Sequence, residues 1–145
     1  MFRLFCILVL SATAVYDVRK LEIPALSYVL LAGAAVIFTP PDILAENVPA
    51  AAAVWVAYLA LRASCSIAKR SVPIGMGDIK LLSILALMLG ALDCLRLIAA
   101  AGLFSGAAAA ALLLLKKADA KSEMAFAPFI AAGYVLIALK DVYVP

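Results

Sequence analysis

The chain has 145 residues, 68% of them hydrophobic and 14% charged, with a net charge of +3 and no histidine. A soluble domain averages roughly 45–50% apolar residues, so this composition and a mean hydropathy of +1.18 exclude an ordinary soluble globule. They predict one small, all-α membrane domain with no soluble domain beside its helices. Without histidine, imidazole acid–base chemistry, Cys–His catalysis and the usual His-containing zinc sites are excluded.

The first apolar segment covers residues 2–16. Ala12-Thr13-Ala14 has the form of a signal-peptidase site, but more membrane-like sequence follows, so the segment is read as a retained helix. Over residues 1–16 it would rise about 24 Å, less than the roughly 30 Å hydrocarbon core. That length would leave Asp17 at the bilayer edge. Residues 17–22 read as a short polar link, with Pro24 in the first turn of a second helix over 23–38. Thr39-Pro40-Pro41-Asp42 ends that helix, and the linker carries Asp42 and Glu46. A third, alanine-rich helix over 48–62 contains Trp55 and Tyr58.

After a link over 64–73, the run Pro73-Ile74-Gly75-Met76-Gly77-Asp78-Ile79-Lys80 opens a fourth helix that ends by Gly90. Asp93 and Arg96 read as a tight turn into a fifth helix over 97–115. There Gly102, Gly106 and Ala110 form a small-residue face of the kind that lets helices approach closely in lipid. A polar run over 116–123 precedes a sixth helix over 124–139, with Pro128 near its start. Cys6, Cys65 and Cys94 make no C-x-x-C pair and no complete disulfide framework. They are read as packing residues, because a nucleophilic cysteine needs an activating base.

The basic residues are unevenly shared. Arg19, Lys20, Lys69, Arg70, Lys116, Lys117 and Lys121, with Arg62 if the end of the third helix is counted, fall in the links after the first, third and fifth segments, against only Arg3, Arg96 and Lys140 on the other side; Lys80, inside the fourth helix, is left out. The positive-inside rule then places both termini outside and Asp17 and Asp78 at the cytoplasmic face. Ionisable groups in a membrane segment are costly and mark functional sites. Two carboxylates at one depth suggest a dyad that shares a proton and activates water without metal or histidine. The alternative is that each aspartate caps a helix or pairs with a basic neighbour, such as Arg19 or Lys20 beside Asp17.

Asp17 with Ile23-Pro24, then Gly75-Met76-Gly77-Asp78-Ile79-Lys80, then Ala127-Pro128-Phe129 resembles the type IV prepilin peptidase family of G-x-G-D intramembrane aspartyl proteases. The size is similar to the short members that serve tight-adherence (Tad/Flp-type) pili. The resemblance implies a six-helix membrane bundle with Asp17 and Asp78 as the catalytic pair. It also implies cleavage, after a glycine and at the cytoplasmic face of the inner membrane, of the short basic leader of prepilins or pseudopilins. Gly75 and Gly77 would let the backbone bend toward substrate. Lys80 matches the motif lysine and would either tune Asp78 or snorkel to the interface, since positions two apart on a helix do not face each other. Pro128 and Phe129 would lie near the active site, or Pro128 would simply start a helix.

Ala25 stands where many members have asparagine. Ala125 and Ala127 replace the first proline and the glycine of a late P-F-G-P-F run. These departures bear on substrate fit more than on chemistry. The domain with paired C-x-x-C motifs found in larger members is missing, so neither methyltransferase activity nor zinc, nor any other cofactor, is expected. The expected partners are leader peptides, which Glu22, Asp119 and Glu123 could attract, and the lipid bilayer, not nucleic acid. A small transporter or proton-relay subunit would use the same aspartates. A non-catalytic scaffold would not need them.

Overall fold

The computed structural model describes residues 2–69, 74–115 and 124–143, with the main chain alone for 140–143. Among these residues all regular structure is helical. The helices are α1 (Phe2–Lys20), α2 (Ala25–Phe38), α3 (Pro41–Ile67), α4 (Met76–Leu114) and α5 (Ala127–Tyr143). α3 and α4 are each long and apolar enough to cross a bilayer, and α2 and α5 are shorter apolar helices. Large apolar side chains such as Leu8, Val36, Ile37, Leu92 and Leu103 are exposed, as expected where lipid rather than water is the solvent. The chain is a membrane protein.

Several boundaries differ from those predicted: α2 starts at Ala25, α3 runs on to Ile67 and α5 spans Ala127–Tyr143, and three further differences have a clear physical reason. α1 runs through Asp17 to Lys20 instead of ending at residue 16. Arg19 and Lys20 in its last turn suit the negative end of the helix dipole, so the polar residues extend the helix rather than stop it. Leu21, at φ 53°, then terminates it. α3 begins at Pro41, seven residues before the expected start. Proline is well suited to the first helical position, so the Pro-Pro pair both ends α2 and opens α3, placing Asp42 and Glu46 in the helix. Pro49 consequently lies inside α3. The expected fourth and fifth helices form one element, α4, which is interrupted at Gly90 (φ 78°, ψ 177°), so the break falls there and Asp93 and Arg96 lie in the helix rather than in a tight turn. A continuous helix of that length would extend about 58 Å, nearly twice a hydrocarbon core. The break divides it into limbs of about 21 Å (76–89) and about 36 Å (91–114).

The chain forms two compact units, one of Met1–Ser27 with Leu95–Pro145 and the other of Tyr28–Cys94. In the first unit α1 packs along α5. Cys6, Val9, Leu10, Thr13 and Asp17 recur every three or four residues on the buried face of α1. Ala127, Ile130, Tyr134 and Ile137 do the same on α5. The Cys6 thiol is hydrogen-bonded to the Tyr134 hydroxyl. Close packing in this unit centres on Gly133: a Cβ there would lie 3.2 Å from the Leu97 carbonyl oxygen and 3.6 Å from the Ala100 Cβ. The predicted packing face meets no neighbour among the described residues. Gly102 and Gly106 have open space around them, because Leu97 and Ala101 carry the buried side of that limb.

In the second unit the buried residues are Leu31, Ala34 and Ala35 of α2, Tyr58 of α3, and Ile79, Leu81, Leu82, Ser83, Leu85, Ala86 and Cys94 of α4. Trp55 stacks edge-on against Tyr58 with ring centroids 6.2 Å apart. The Asn47 side-chain amide, on α3, donates to the Leu87 carbonyl at 3.0 Å. In an unbroken α4 that carbonyl would take the N–H of residue 91. Asn47 therefore supplies the partner at the Gly90 break, in a medium where an unpaired carbonyl would find no water.

Candidate active site

Asp17 lies on α1 one turn beyond Thr13 and is only 5% exposed. The Thr13 hydroxyl bonds the Val9 carbonyl at 2.8 Å and the Ser27 hydroxyl at 2.6 Å, so the polar groups on this face are satisfied locally. A buried carboxylate is costly unless hydrogen-bonded. Asp17 Oδ2 accepts the Ala127 N–H at 3.0 Å, across 110 positions of sequence. Ala127 is the first residue of α5, so the carboxylate occupies the positive end of that helix, where negative charge is favoured.

Pro128 follows as the second helical residue, where a missing N–H is tolerated. It thus starts a helix, and it follows directly on Ala127, whose N–H meets Asp17. Phe129 is half-buried in the same turn, its ring 6.5 Å from that of Phe126. A shallow apolar groove lined by Ala14, Val15, Val18, Arg19 and Pro128 runs alongside Asp17.

Asp78 belongs to the second unit. Gly75 precedes α4 and its carbonyl accepts the Ile79 N–H at 3.4 Å, which makes Gly75 the N-cap. Met76, Gly77 and Asp78 are then the first three helical residues, and Asp78 also sits in a helix N-terminal field. Its carboxylate turns back toward the cap: a Cβ on Gly75 would lie 3.3 Å from Asp78 Oδ2. The first glycine of the G-x-G-D run thus leaves the space that the carboxylate uses. Lys80 is exposed, and its Nζ lies 5.9 Å from the Tyr28 ring centroid, within cation–π range. Pro73, Arg70, Lys116, Lys117, Lys121, Asp119 and Glu123 lie outside the described residues. Among the described residues no three of Cys, Asp and Glu converge as metal ligands.

Sequence reasoning missed the Ala127 N–H and the Asn47 side chain. The first is a main-chain group and carries no residue-type signal. The second is a lone asparagine in what read as a linker.

The regular structure among the described residues is thus helical, with a buried aspartate held at one helix start and a G-x-G-D run opening another, an arrangement that fits a membrane peptidase. The chain belongs to the type IV leader peptidase family, whose model matches residues 4–115. That match includes Asp17 and the whole Gly75–Lys80 run and stops short of Ala127, Pro128 and Phe129; the contact between Asp17 and the Ala127 N–H comes from the structure. No curated protein and no solved structure matches the chain.

Proposed function

We propose that this peptidase is an aspartic endopeptidase that removes the short basic leader from type IV prepilins or prepilin-like proteins, with Asp17 and Asp78 as its catalytic pair. The observation that carries the reading is Asp17 itself: a carboxylate buried in an apolar helix pair and held at a helix start, within the span matched by a leader peptidase family.

The chemistry follows from two carboxylates sharing one proton. The ionised partner takes a proton from water as the water oxygen attacks the scissile carbonyl carbon. The protonated partner gives its proton to the carbonyl oxygen, and a neutral tetrahedral diol results. The first carboxyl then returns its proton to the amide nitrogen, the C–N bond breaks, and the second carboxylate recovers a proton from the diol. The pH dependence belongs to the pair, not to either residue.

Gly75 and Gly77 would admit the substrate strand near Asp78. Lys80 would hold the head of α4 at the interface through Tyr28, and Pro128 and Phe129 would support Asp17. In this reading the chain crosses the inner membrane six times, with α4 contributing two crossings. The excess of lysine and arginine in the odd-numbered links puts the active site on the cytoplasmic side. A basic leader would approach there, with Glu22 among the acids able to attract it.

The test is cleavage of a prepilin-like peptide with a basic leader and a junction glycine. Wild type should cut it. Asp17→Asn and Asp78→Asn should lose activity about 10²–10⁴-fold while keeping wild-type melting in detergent. Variants that cut like wild type would remove the dyad. A pH-gradient-driven flux without a cleavage product would favour the transporter.

A further inference from the structure

The first turn of α5 has few free donors. Pro128 has no N–H, and the N–H groups of Phe129 and Ile130 both turn to the Phe126 carbonyl, at 3.0 and 3.2 Å. The Ala127 N–H is the donor left over, and it meets Asp17 Oδ2. Ala127 is 1% exposed and Asp17 5%, so water is no ready substitute for either partner. We infer that the α5 N-terminus, acting through the Ala127 N–H, is the positioning element that fixes the rotation of the Asp17 carboxylate and so decides which oxygen faces the substrate. This inference rests on the reading of Asp17 as catalytic.

The physical reason is orientation. A carboxylate that must exchange protons with water and with a second carboxyl needs one oxygen in a set place. A hydrogen bond to an ionised oxygen is short and directional, and a donor fixed in a helix start moves less than one on a side chain. Pro128 strengthens the device: its ring presets the helical turn and removes the neighbouring donor that could compete for the carboxylate. Ala127 is therefore a positioning residue that acts through its main chain, and its methyl group is incidental.

The test replaces the Ala127 amide by an ester, by incorporating lactic acid at that position in the full-length protein. The methyl group stays and the N–H becomes an oxygen. With the prepilin-like peptide, kcat should fall roughly ten- to a hundredfold, the loss expected for one hydrogen bond to a charged group, while KM stays within about twofold. An ester variant with wild-type kcat overturns the inference, and so does one that loses only KM.

A second measurement is independent of activity. The Phe-Ala dipeptide occurs once in the sequence, so paired carbonyl-¹³C phenylalanine and ¹⁵N alanine labels report the Ala127 amide alone. Its proton resonance should move upfield in Asp17→Asn, because a neutral acceptor binds more weakly than a carboxylate, and should stay in place in Glu46→Gln. An unmoved resonance in Asp17→Asn sinks the inference even if the ester variant does not fold. The parent reading fails separately: if Asp17→Asn still cuts, Asp17 is not catalytic, whatever its partner does.

Discussion

Gly90→Ala tests the break in α4 by the sign of its effect. At φ 78° and ψ 177° residue 90 occupies a region open essentially to glycine alone, and forcing another residue there costs about 1–3 kcal/mol. The new Cβ would also stand 3.0 Å from Asn47 Oδ1. Displacing that side chain would sacrifice its bond to the Leu87 carbonyl, a further ~1 kcal/mol. The expected destabilisation is about 2–4 kcal/mol. If α4 were instead continuous at Gly90, the same change would stabilise it by about 0.5–1 kcal/mol. Unfolding in mixed micelles separates the two cases. A cycle with Asn47→Ala sharpens the result, because the double variant should lose about 1 kcal/mol less than the sum of the singles. Stabilisation by Gly90→Ala, or strict additivity, would refute the account of the break.

The remaining predictions concern the site and the packing of the first unit. Under the proposed mechanism, Gly75→Ala should lower kcat for leader cleavage roughly tenfold with little change in melting, because its Cβ would press on Asp78 Oδ2 from 3.3 Å and small misplacements of a reacting group are expensive. Gly133→Ala should destabilise by about 1–3 kcal/mol, since its Cβ meets a main-chain oxygen at 3.2 Å that cannot rotate away. Gly102→Ala and Gly106→Ala, with open space around each, should be neutral or stabilising by about 0.5–1 kcal/mol; losses like those of Gly133→Ala would mean that this face has a partner. Lys80→Met should lower stability by about 0.5–1 kcal/mol by removing the contact with Tyr28, and Lys80→Arg should restore it.

Composition and pattern carried much of this protein. The excess of apolar residues required helices in lipid, because a membrane leaves the backbone no other partner for its polar groups than its own turns. Apolar run lengths located every helix, and the G-x-G-D run together with the upstream aspartate pointed to the peptidase family. Helix ends were less legible, since polarity is a poor stop signal. Asp17, Arg19 and Lys20 read as a link yet extend α1, and Pro40-Pro41 read as a linker yet open α3.

The packing decided what local pattern could not. Gly102 and Gly106 look like a contact face, yet the close approach is made at Gly133, because burial depends on which side of a limb a neighbouring helix covers. A sequence also names side chains and not the main-chain groups that meet them. Asp17 was visible as a candidate from the start. That its oxygen would be held by the N–H of Ala127, and that Asn47 would complete the Leu87 carbonyl at the Gly90 break, follows only when helices distant in sequence pack together. Buried polar groups must find partners, and the tertiary structure decides which partners are within reach.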